Sequence, residues 1–305
     1  FERQDLRTRY AKVFQRSDGS GYAVVYMRPI HFQAQDGSWQ EYDNHLLPDE
    51  TGIFWRNRAG DFQITFGKEL ASFRRTDISR MSNAPKGSLI PIGVTTHNVS
   101  IGFQPLNVAS VEAQVEETSI VYPGIYPGVD LRYTVDNDLL KEDLIFHRRP
   151  SQTQISFLVT SGSKLLTLQD DGRISVECTE ECLSIMPPYM QDAAGAISED
   201  IQVELEYVQN GYYILTYTLD MTWLNNPKRK FPVVLDPTVI AGSGYSTYVQ
   251  EGFPTVARCN ANTFVAVGYD PGNVGQKRTR GFFHLSLPTL PAGSTITSAT
   301  FRAYQ

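Results

Sequence analysis

Cysteine is scarce. Three cysteines in 305 residues are too few for a disulfide scaffold, and they lack the paired spacing of a zinc site. Long apolar runs are missing as well: no stretch of about 18 uninterrupted apolar residues occurs, so membrane insertion through a helix is not expected. Basic runs are absent, and 27 Lys and Arg against 33 Asp and Glu leave a net charge of −6. That balance argues against nucleic acid or an anionic membrane surface as a partner. Catalytic signatures are missing too. There is no Gly-x-Ser-x-Gly elbow, no His-x-His and no His-Glu-x-x-His. The five histidines, His31, His45, His97, His147 and His284, are scattered through strand-like stretches. Each reads as an ordinary strand residue, and the chain reads as non-enzymatic.

No amphipathic helix longer than two turns can be traced either, and what is present points to strands. The 16 tyrosines, 16 phenylalanines, 23 glycines and 17 prolines are a strand-and-turn composition. The organising stretch is Ser119 to His147. Pro123-Gly124 and Pro127-Gly128 punctuate it with turns, because Pro fixes φ and Gly accepts positive φ. Val129, Leu131, Tyr133 and Val135 then point one way, with Asp130, Arg132 and Thr134 pointing the other. A polar turn at Asp136-Asn137-Asp138 sends the chain back with Leu140, Glu142, Leu144 and Phe146 on one face. Such a meander cannot bury its apolar side alone and predicts a second sheet. Hairpins are also predicted at 10–32 and around Asn210-Gly211, and a clean alternation at Phe62, Ile64 and Phe66.

The fold class expected is all-β: a large antiparallel β-sandwich domain over residues 1–237, then the first half of a jelly-roll-like β domain over 238–305. The small-residue stretch 240–245 supplies the boundary. The second unit reads as cut off, and the chain as a processed or trimmed piece of something longer.

Candidate sites follow from side-chain chemistry. Cys178 and Cys182 flank a short loop between two strand-like stretches, where cross-strand Cα atoms come within roughly 5 Å, so they form either a disulfide or two free thiols. Cys259 is left over. Asp130 and Glu142 are a carboxylate couple of the kind glycoside hydrolysis needs. A register-pinning ion pair of Arg132 with Glu142 is the stronger reading. Asp136, Asp138, Asp270 and Asn273 offer turn oxygens to calcium without the full ligand ladder of an EF-hand. No other cofactor is expected. Trp55, in a charged setting, and Tyr248 and Tyr269 are the aromatics best suited to stack on a sugar ring.

Several motifs bear a family likeness. YPGVDLRYTV followed by LKED, then PPYMQDAAGAISED, GYYILTYTLDMTWLNNP and FPVVLDPTV, resemble the N-terminal β-region of Gram-positive secreted wall-associated, YD-repeat (rearrangement-hotspot, Rhs) proteins, some of which are polymorphic toxins. GYAVVYMRPIHF and WQEYDNHLL fit the same pattern, so the likeness covers nearly all of residues 1–238. The tail, with STYVQEGFP and KRTRGFFHLSLPTLPAGSTITSATFRAY, is similar to the first half of a DNRLRE-type carbohydrate-binding module. It departs at TVARCNANTF, where that module has a Gly/Ser-rich loop.

The resemblance implies a secreted, extracellular or cell-wall attached protein. It implies non-catalytic work: adhesion, carbohydrate binding to a cell-wall or host or plant glycan, or display of a distal effector. A downstream YD-repeat or effector region would be its other partner. The alternative is a structural cap or docking scaffold for a YD-repeat shell or partner chain. A third reading is a glycoside hydrolase.

Overall fold

The computed structural model describes residues 1–77, 90–96, 99–178, 182–241, 246–251, 267–269, 278–283 and 285–302. They form an all-β structure in which every strand pair is antiparallel. One turn of α-helix, α1 (Met221–Leu224), and two 3₁₀ turns, Gln4–Leu6 and Arg75–Asp77, interrupt the strands; α1 is capped by Asp220, whose carboxylate accepts from the Trp223 N–H.

The chain begins with an arm of two small hairpins. β1 (Ala11–Gln15) pairs with β2 (Gly21–Val25), and β3 (His31–Gln33) with β4 (Trp39–Glu41). The first large sheet then collects β5 (Asp43–Pro48), β6 (Phe54–Ala59), β7 (Gln63–Gly67), β9 (Ile92–Thr95), β10 (Ser100–Pro105), β16 (Gln154–Thr160), β22 (Gln202–Gln209) and β23 (Tyr212–Thr218). Its order is β22-β23-β16-β10-β9-β7-β6-β5. Between β7 and β9, β8 (Glu69–Leu70) pairs with β11 (Val111–Glu112).

The second sheet holds the meander. Its spine runs β12 (Gln114–Glu116), β13 (Ser119–Tyr126), β14 (Val129–Asp136), β15 (Leu139–Phe146), β25 (Val239–Ala241), β19 (Leu183–Ile185), β18 (Ile174–Val176) and β17 (Leu166–Leu168). β24 (Val233–Asp236), β20 (Tyr189–Asp192) and β21 (Ile197–Ser198) branch from β15. Since β25 is hydrogen-bonded to both β15 and β19, this sheet extends past residue 237 to Ala241. Beyond it, β26 (Ser246–Gln250), β28 (Arg278–Phe283) and β27 (Gly268–Tyr269) make a separate three-stranded sheet.

The alternation in β14 explains why the two large sheets face each other. Val129, Leu131, Tyr133 and Val135 are buried, and Arg132 between them is exposed. Tyr122 and Tyr133 enter the core from the meander, where Phe66 meets Tyr133 at 5.5 Å between ring centroids. The Tyr122 hydroxyl crosses to the other sheet and donates to the Gly67 carbonyl at 2.7 Å. Phe157 and Tyr217 pack edge to face alongside.

One turn requires its glycine. Asn210 and Gly211 both take positive φ, 49° and 79°, the pairing of a tight hairpin turn. A Cβ on Gly211 would lie 1.8 Å from the Gly162 carbonyl oxygen.

Candidate functional site

The meander carries the titratable groups of most interest, and its register decides what they meet. β14 and β15 pair Tyr133 with Glu142 and Arg132 with Asp143. Glu142 therefore points into the core, and its Oε2 accepts from the Tyr133 hydroxyl at 2.5 Å. Arg132 lies on the opposite, exposed face, so the expected Arg132–Glu142 ion pair does not form. Burial pushes Glu142 up to about 8; the Tyr133 hydrogen bond opposes this, and the Asp236 and Asp143 charges add to it. Tyr133 is held well above the ordinary phenol range by burial and by the neighbouring carboxylate. A carboxyl held protonated near neutral pH can serve as a general acid, but this one is 4 % exposed and sealed in the core.

The outward face of the same strands holds a second group. Lys141 Nζ lies 2.7 Å from Asp143 Oδ1 and 3.5 Å from Asp236 Oδ2. Asp236 also accepts from the Tyr189 hydroxyl at 3.0 Å and from Thr238 Oγ1 at 2.5 Å. Burial raises the Asp236 carboxyl, against the pull of Thr238 and Lys141. The ammonium of Lys141 is raised because its two carboxylates outweigh its own desolvation. This cluster stitches β15, β24 and β20 together and went unseen in the sequence. Only the Lys-x-Asp alternation within β15 hinted at it, since Asp236 comes from far along the chain.

Asp130 also faces outward. Its Oδ1 accepts from the Gly124 N–H at 2.7 Å and its Oδ2 lies 2.6 Å from His147 Nε2. Asp130 and Glu142 thus sit on opposite faces of one sheet, which removes the two-carboxylate geometry of a glycosidase. The Asp130–His147 couple is solvent-facing, a histidine positioned by an acid. Gly124, which donates to Asp130, belongs to the lining of a shallow cleft of about 540 Å³, with Ser72, Arg74, Asn107, Tyr126 and Gln152. The sequence reads His147 as an ordinary strand residue; pairing of Val129 with Phe146 is what brings it beside Asp130.

The remaining candidates are placed as follows. Trp55 lies within β6 opposite Phe66, half-buried against the core, with Lys68 Nζ 5.3 Å from its ring centroid. It is therefore no open stacking platform. Tyr269, in β27, is 63 % exposed, and Tyr248 lies in β26. Asp136 and Asp138 both engage the Arg28 guanidinium, Asp136 at 2.5 Å, so a cation other than calcium already occupies their charge. Asp270, Asn273, Cys259, His97 and His284 lie outside the described residues. Among the described residues no cluster of three or more metal-ligating side chains occurs. A disulfide joins Cys178 and Cys182, with Cα atoms 5.6 Å apart.

Comparison with known proteins redirects the functional reading. The model of a family described as Domain of unknown function (DUF7948) matches residues 93–238, the stretch from β9 to just short of β25. Over 269 residues, 82 % of this chain, it is 26 % identical to the tRNA nuclease WapA of Bacillus subtilis. Over the same length it is 26 % identical to a tRNA3(Ser)-specific nuclease WapA of Bacillus spizizenii and 27 % to a tRNA(Glu)-specific nuclease WapA of Bacillus subtilis subsp. natto. Its relatives cut tRNA. The chain spans about 11 % of the length of these relatives.

These names overturn three expectations. A non-catalytic role in adhesion, carbohydrate binding or effector display, with its docking-scaffold and glycosidase alternatives, gives way to similarity with nucleases. So does the expectation of no enzymatic activity. The expected glycan partner, with nucleic acid excluded, gives way as well. The reason lies in scale: a net charge of −6 over a stretch matching about 11 % of such relatives does not report where those relatives hold a polynucleotide.

Proposed function

We propose that this chain forms an all-β region of a longer, exported protein that cleaves tRNA. The observation that carries the reading is the similarity to three tRNA-cleaving relatives along 82 % of the chain. The Cys178–Cys182 disulfide supports export, because reducing compartments keep such cysteines as free thiols. The resemblance of its motifs to those of wall-associated, YD-repeat proteins supports the same destination.

The test uses the full-length protein of which this chain is part. Incubated with total tRNA and resolved on a sequencing gel, it is expected to yield discrete fragments from one or a few tRNA species. Intact tRNA after prolonged incubation with excess protein overturns the reading.

A further inference from the structure

Residues 1–42 meet the sandwich through polar groups. No residue of the apolar core clusters precedes Leu46. Instead, Arg9 Nη1 reaches Asp61 at 2.7 Å, and the Tyr42 hydroxyl donates to the same carboxylate at 2.6 Å. Arg28 clasps Asp136 and Asp138. Asn137 Nδ2 donates to the Pro29 carbonyl at 2.6 Å.

Inside this arm the contacts converge on His31, which is fully buried. Its Nδ1 lies 2.7 Å from the Thr8 carbonyl oxygen, so in the neutral ring that nitrogen carries the proton. Its Nε2 is buried with no hydrogen-bond partner. The backbone N–H groups of Ile30 and His31 both reach the Arg9 carbonyl, at 2.8 and 3.2 Å, tying β3 to the segment leading into β1. Two cations and two carboxylates surround the ring. Arg7 pairs with Glu2 at 2.7 Å and with Glu41 at 3.3 Å, and Lys12 pairs with Glu41 at 2.6 Å. The carboxylates are thus engaged by cations already. An imidazolium here would add a third cation and bury an N–H with nothing to accept it.

We propose that residues 1–42 are an acid-opened strap: protonation of His31 separates β1–β4 from one another and from the sandwich, while the two large sheets stay folded. Burial is the main reason His31 titrates below its usual range; Arg7 and Lys12 add to the effect, and the Thr8 carbonyl and Glu41 oppose it. A depressed histidine contributes stability above its unfolded value of 6.5 and loses it as pH falls through the folded value. The open fraction therefore grows by up to about tenfold per pH unit within that window.

Hydrogen exchange of the whole 305-residue chain, read peptide by peptide at about pH 7.5 and about pH 5.5 and corrected for intrinsic rates, tests this. The expected result is a roughly tenfold gain in exchange within 11–41 at the lower pH, with β13–β16 unchanged. His31→Gln, neutral at both pH values and able to donate to Thr8, should abolish the gain. Equal exchange at both pH values overturns the proposal, as does a His31→Gln chain that responds like the wild type, or a sandwich that opens with the strap. Should the variant arm fail to fold, the imidazole NMR titration of wild-type His31 decides. A midpoint at or above the ordinary histidine range overturns the proposal, and one below it, coincident with strap opening, sustains it.

Discussion

The N-terminal arm and the sheets that follow are both antiparallel β-structure, yet different forces hold them. In the sandwich, Phe66, Tyr133, Phe157 and Tyr217 are almost wholly sealed from water, and each large buried side chain contributes about 2–3 kcal/mol of transfer free energy. In the arm, Tyr22 and Tyr26 remain more than 40 % exposed, and the ties to the sandwich are ion pairs and hydrogen bonds. An exposed ion pair is worth only about 0–1 kcal/mol. The comparison teaches that strand content alone says little about stability. What matters is whether the side chains between the ladders are shielded on both sides.

The largest contrast should come from deleting a core ring. Phe157→Ala removes a side chain that is 1 % exposed and should lower global stability by about 3–5 kcal/mol in urea unfolding. Val13→Ala in the arm should leave that global transition in place. A Val13→Ala effect as large as the Phe157→Ala effect would erase the distinction between the two regions.

The acid inside the core comes next. Glu142 has a folded value near 8, raised from 4.5 in the open chain. Its contribution is complete below about pH 4.5 and is lost as pH rises through 8, by up to about 5 kcal/mol. Glu142→Gln should flatten stability between those limits, measured as urea midpoints across the range. The arm shows the opposite sign, losing order on the acid side.

A smaller effect is expected at the edge of the second sheet. Arg229 pairs with Asp192 at 2.7 Å and lies 3.5 Å from the Trp223 ring centroid. Asp192 also accepts from the Ala194, Ala196 and Lys230 N–H groups. Arg229→Ala should cost about 2 kcal/mol by leaving that carboxylate short of one donor, seen as a lower thermal midpoint.

Smallest of all is the latch. Asp136→Asn with Asp138→Asn should change the global midpoint by less than about 1 kcal/mol while speeding proteolysis within residues 1–42. Unchanged proteolysis would show that the arm does not depend on Arg28 for its docking.

Much of the architecture was legible. The alternation through Val129, Leu131, Tyr133 and Val135 and the Asn210-Gly211 turn sufficed for antiparallel sheets, because strand period and turn chemistry are local properties. The candidate sites were less legible. Arg132 and Glu142 are close along the hairpin, but a shift of one position sends them to opposite faces. Trp55 sits among charged neighbours in sequence, whereas in space Phe66 and Lys68 cover it. Arg28 finds Asp136 and Asp138 more than 100 residues away, a distance that no local pattern bridges.

The sequence by itself determined that this chain would be all-β, because residue alternation and Pro-Gly and Asn-Gly turns act within a few residues of one another. The tertiary structure alone decided what each polar side chain meets: Glu142 a tyrosine, Asp130 a histidine, Asp138 an arginine, and His31 nothing on one of its nitrogens. The physical reason is that ionisation and pairing depend on burial and on charges a few ångströms away, and those neighbours are brought together only when the sheets close.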